Sequence, residues 1–115
     1  MLVDLTIIPL RGGRHISDEL AEAIKLIDAS GLPYQLTPSG TCIEGKWEEV
    51  MPLIQRCHNV IRSLLSHLVT FIKIEEEDDK ANKLVTNIES VEQRLGRSVG
   101  RTSKVITGSS APSGN

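Results

Sequence analysis

"YQLTPSGTCIEG", residues 34–45, decides how this chain folds. Two short runs rich in strand-forming residues flank Pro38-Ser39-Gly40. Proline presets φ for a turn, serine is common there, and Gly40 is expected to meet a demand for positive φ. The stretch reads as a hairpin, with one strand over "LPYQLT" and the next over "TCIEG". A hairpin held between two helices, with a strand beyond each, gives the order βαββαβ.

Working outward, both helices are present. Upstream, "ISDELAEAIKLIDASG" carries Leu20, Ile24 and Ile27 at helical spacing, with Ala23 beside them. Ser17 reads as its N-cap, Asp18 and Glu19 suit its first turn, and Gly31 reads as a left-handed stop. Downstream, "KWEEVMPLIQRCHNVIRSLLS" places Val50, Ile54, Cys57, Ile61 and Leu64 three or four residues apart. The flanking strands are Leu2–Ile8, expected to end at Pro9, and "HLVTFIKI" from His67. Beyond them, an acidic run from Glu75 reads as a solvated helix start. Leu84, Ile88, Val91 and Leu95 predict a third helix. Residues 1–95 thus form one domain. Residues 96–115 have three basic residues, no acid and little apolar surface, and are expected to be a disordered polar tail.

The βαββαβ order with right-handed crossovers is the ferredoxin-like α+β arrangement. It is an antiparallel sheet in order 4-1-3-2 with two helices on one face. Val3, Leu5 and Ile7 should face the helices. Asp4, Thr6, Cys42, Glu44 and Lys73 should share the open face, where Lys73 is placed to pair with a carboxylate.

Composition removes several functions. The chain has 115 residues and a net charge of −2, so no basic field gathers nucleic acid. One Phe, one Tyr and one Trp make no stacking platform for bases. No apolar run reaches the roughly 18 residues of a membrane span, and the N-terminus reads as a strand, not a signal peptide. Cys42 and Cys57 lack zinc-like spacing and read as small apolar fillers in a reducing cytoplasm. His15, His58 and His67 lack metal-ligand spacing, so no metal site is expected. Cys57 and His58 are helix neighbours pointing about 100° apart, so no nucleophile–base pair forms and no catalytic residue is assigned.

The chain resembles the thiamine-binding protein family over about residues 2–95. "TIIPL", "YQLTPSGTCIEGKWEEVMPLI" followed by "CH", and "TFIKI" carry the likeness. Its most specific part is Leu36-Thr37-x-x-Gly40-Thr41-x-x-Glu44-Gly45. The resemblance implies a non-enzymatic carrier, buffer or sensor of thiamine (vitamin B1) or its hydroxymethylpyrimidine moiety, needing no cofactor beyond that ligand. It also implies a homo-oligomer, a dimer or a tetramer of sheet-paired dimers, with the ligand near a subunit interface. Two stretches depart from the family pattern. The last strand runs into "IKIEEEDDK" without the usual arginine, and the loop after the first strand carries Arg11, Arg14 and His15.

An aminopyrimidine offers an amine donor beside ring-nitrogen acceptors, and the thiazolium of thiamine is a permanent cation. Hydroxyls, backbone amides and a carboxylate answer that chemistry. The ligand-binding candidates are Thr6, Thr37, Ser39, Gly40, Thr41, Glu44 and Thr70. Each has a plainer reading. Glu44 pairs with Lys73, the threonines are strand formers, and Ser39 and Gly40 serve the turn. His58 reads as a satisfied, partly buried histidine, Trp47 as a core-edge residue, and Tyr34 as an interface residue on an edge strand. The alternative function is a structural or regulatory oligomer module whose sheet face only joins subunits. No nucleic acid or membrane partner is expected.

Overall fold

Alternation along the first strand sets the sheet. In the computed structural model, which describes residues 1–11, 16–78 and 81–100, β1 is Leu2–Arg11. Val3, Leu5 and Ile7 are buried on one face, and Asp4, Thr6 and Ile8 alternate onto the other. The remaining elements are α1 (Ile16–Ala29), β2 (Tyr34–Thr37), β3 (Gly40–Glu44), α2 (Trp47–Leu64), β4 (His67–Glu75) and α3 (Lys83–Leu95). The strands run in the order β2-β3-β1-β4 with antiparallel neighbours, which is the expected 4-1-3-2 sheet.

The apolar stripes of α1 and α2 meet the Val3–Leu5–Ile7 face. Ala23 and Ile27 come from α1, and Val50, Ile54, Cys57 and Ile61 from α2, with Ile43 of β3 between them. Ile27, Ile43 and Ile61 are almost wholly buried. Truncating such a side chain to alanine typically costs about 2–5 kcal/mol. Gly31 takes φ +81° and closes α1 as expected. No helix of the described residues is long and apolar enough to cross a membrane.

Three boundaries differ from the sequence reading. β1 continues through Pro9 to Arg11, and its register against β4 shifts between those two residues. β3 pairs with β1 only as far as Leu5↔Thr41. Beyond that point β1 has an open side, where a residue without an amide hydrogen is tolerated. Second, the acidic run does not begin a helix. Glu75 ends β4, and α3 starts at Lys83 after Asn82, which sits in the left-handed region at φ 59°. Third, α3 keeps local contacts just past its end. Gly96 caps α3 at φ 77°, and the Val99 amide donates to Glu92 Oε2 over 3.0 Å. α1 starts at Ile16, so Ser17 falls inside its first turn and not at the expected cap position. The tail from residue 101 and the side chains of Arg11, Arg14 and His15 lie outside the described residues.

Candidate functional site

β1 outruns β3, and α1 bridges the gap between β1 and the hairpin. The result is a cavity of about 470 Å³. Its walls are residues 5–9 of β1, Leu20, Ala23, Ile24 and Ile27 of α1, and residues 36–41 of the hairpin. The floor is apolar, because these α1 residues are the core stripe. Polar groups gather at one end, around the turn.

That turn is braced by three hydrogen bonds from two side chains. Thr37 Oγ1 donates to the Gly40 carbonyl over 2.9 Å and accepts from the Gly40 amide over 3.1 Å. Thr6 Oγ1 donates across from β1 to the Ser39 carbonyl over 3.1 Å. Gly40 itself does not have positive φ, contrary to expectation; among the described residues Gly31 and Gly96 are the glycines that do. It is glycine because of β1. A Cβ here would lie 2.6 Å from Thr6 Oγ1 and 2.8 Å from the Leu5 carbonyl.

Five of the seven expected ligand residues, Thr6, Thr37, Ser39, Gly40 and Thr41, therefore line one cavity. The other two stand elsewhere. Thr70 faces α2, where its hydroxyl lies 2.6 Å from His58 Nδ1. That contact makes His58 the satisfied, half-buried histidine the sequence indicates. Glu44 lies opposite Leu2, at the far end of β1 from the cavity. Its carboxylate does not pair with Lys73, which opposes Asp4. It accepts instead from the Lys83 amide at 2.7 Å and the Leu84 amide at 3.3 Å, capping α3 from a strand. Lys83 Nζ adds bonds to Glu75, at 3.3 Å, and to Glu77. The Glu77 bond first, then the Glu75 contacts, hold the Lys83 ammonium pKa above its ordinary value despite burial.

The sequence reading missed the cavity floor of Leu5, Ile7, Leu20, Ala23, Ile24 and Ile27. Its signal was present as a core stripe, but periodicity does not distinguish a filled core from one with a gap. The open sheet face holds a smaller cluster. Cys42 stands opposite Asp4, and Lys73 opposes Asp4 on the other side. Burial first, then the Asp4 charge, raises the Cys42 thiol pKa, while Lys73 lowers it. Trp47 is half exposed beside Glu44, Gly45 and Glu48, at the end away from the cavity. Among the described residues, no group of three or more His, Cys, Asp or Glu is arranged to hold a metal ion.

Comparison with known proteins places this geometry among relatives. A family model described as thiamine-binding protein matches residues 3–92. The UPF0045 protein YqgV of Bacillus subtilis is 34% identical over 100 residues, covering 82% of this chain and 96% of that one. The crystal structure of hypothetical protein MJ1052 from Methanocaldococcus jannaschii superposes with a TM-score of 0.68 at 26% identity, over 83% of this chain and 94% of that one. A Thermotoga maritima protein, provisionally assigned to thiamine biosynthesis or salvage, shares the fold with a TM-score of 0.63 at 19% identity, over 83% and 94% of the two chains.

Proposed function

Since the chain belongs to the thiamine-binding protein family, we propose that it binds thiamine or the hydroxymethylpyrimidine moiety in the hairpin cavity, as a non-enzymatic carrier, buffer or sensor in the cytoplasm. The observation that carries this reading is the gathering of Thr6, Thr37, Ser39, Gly40 and Thr41 at the polar end of one otherwise apolar cavity. Its volume of about 470 Å³ is within the usual range for small-ligand pockets. No charged side chain is among the described lining residues. An uncharged pyrimidine ring suits the apolar floor, with its amine and ring nitrogens turned to the hydroxyls and peptide groups of the turn. A thiazolium would then stay toward the mouth, because burying an unpaired cation is costly. Neither Glu44 nor Thr70 has a part in this binding geometry.

The same reading includes a homo-oligomer with the site close to an interface. Leu36, on the cavity wall, is 53% exposed, and β4 is an open sheet edge. That edge also favours the second reading, a structural or regulatory oligomer module with no thiamine-type ligand. Titration calorimetry with thiamine, thiamine phosphate and hydroxymethylpyrimidine separates the two. Micromolar or tighter binding of one of them, near one per subunit, is the expected result. Silence from all three in folded protein would leave the structural module.

A further inference from the structure

Thr6 alternates onto the sheet face turned away from the helices, yet the residue is also among those that line the cavity. It crosses Gly40, where a Cβ would sit 2.6 Å from that oxygen, and donates to the Ser39 carbonyl at 3.1 Å. The missing side chain at position 40 is what lets the strand and the turn approach this closely. Thr37 clamps the same turn from the hairpin side, through bonds to both the amide and the carbonyl of Gly40. The turn is thus held by one residue of its own hairpin and by one residue 33 positions earlier in the chain.

We propose that Thr6 is a positioning residue for the cavity: through the gap left by Gly40 it fixes the Ser39–Gly40 peptide at the rim, so that the turn meets a ligand already in its bound geometry. This role rests on the hairpin cavity being the ligand site. A rim ordered in advance avoids the entropy of ordering it on binding. The arrangement also joins the two faces of the sheet, because Thr6 stands opposite Phe71 of β4 on the uncovered face.

The test pairs two readouts on four proteins: wild type, Thr6→Val, Thr6→Ser and Gly40→Ala. Amide hydrogen exchange of residues 37–41 reports the turn, and calorimetry with hydroxymethylpyrimidine and thiamine reports the site. Thr6→Val keeps the β-branched shape and removes the hydroxyl. It is expected to speed exchange in the turn and weaken binding, each roughly three- to tenfold, while Thr6→Ser restores both to within about twofold. Gly40→Ala leaves the hydroxyl but wedges the strands apart, and should reproduce both losses. Combined with Thr6→Val it should weaken binding no further, because both changes break one tie. Weaker binding with unchanged exchange would overturn the proposal in favour of direct ligand contact by Thr6. Faster exchange with unchanged affinity would reduce the tie to a structural one. Silence of the wild type toward both ligands would bring down the proposed function along with the positioning role, whereas binding wild type with unaltered variants would bring down the positioning role alone.

Discussion

Gly40 and Cys57 show how far one side chain, absent or present, reaches in this molecule. At Gly40 the absence of a Cβ brings Thr6 against the turn. At Cys57 the buried thiol touches the Ala23 carbonyl at 3.6 Å and joins α2 to α1. Burial, opposed weakly by Arg56, pushes its pKa from the ordinary 9.0 up to about 11. A raised pKa in the folded state means that the unfolded chain sheds the proton first. The associated stability is intact below pH 9.0 and is lost as pH rises towards about 11. The loss is on the order of 2 kcal/mol. Urea unfolding at pH 8 and pH 11, for wild type and Cys57→Ala, measures it as a difference. The variant is expected to show the shallower alkaline decline, because Tyr34 and Lys83, both also raised, are common to the two proteins.

Among the elements, α3 is the one whose attachment is most local. Its buried residues are Lys83 and Leu84, both in the first turn. The orphan amides there are met by Glu44, and Lys83 is gripped by Glu75 and Glu77. Asn82, at the N-cap position, makes no side-chain cap bond of its own. Glu44→Ala should therefore act as the loss of a cap, at about 1 kcal/mol, and should speed hydrogen exchange over residues 83–87. Ligand affinity should be unchanged, because the cavity is at the other end of β1. A clear loss of affinity in this variant would return Glu44 to the binding site.

The same elements show what a sequence can disclose. The strands, the two main helices and the hairpin were legible because each is written in a local period or a local turn. The polar end of the cavity was legible too, since Thr37, Ser39, Gly40 and Thr41 are turn neighbours and Thr6 lies across one strand. Glu44 was misread because its partners lie 39 and 40 residues away, on a helix whose start the acidic run obscured. Thr70 was grouped with the cavity residues because its contact with His58 of α2 crosses between elements and leaves no mark in the local sequence. Gly40 was assigned to the turn's dihedral demand because a steric demand from another strand leaves no mark in the local sequence.

For the whole molecule, the edge strand β4 carries one part of the exposed apolar surface. Phe71 is 57% exposed, and Ile72 and Ile74 are about 40% exposed, on a nine-residue strand at the sheet edge. Long apolar edges are normally paired or covered. Pairing with the same edge of a second copy would continue the sheet and bury these residues. The mass in solution, by analytical ultracentrifugation at micromolar concentration, is expected to be that of a dimer or tetramer. Ile72→Lys should shift it towards the monomer while leaving the fold intact. A wild type that stays monomeric would contradict the oligomer reading without touching the cavity.

In the proposed binding mode a thiamine-type ligand enters the space between β1, α1 and the hairpin. The most direct measurement is a backbone amide NMR titration with hydroxymethylpyrimidine. Shifts are expected to concentrate in residues 5–9, 20–27 and 36–41, with Glu44, Trp47 and Lys83 unmoved. Shifts centred on Glu44, Trp47 and Lys83, or none at all, would contradict it.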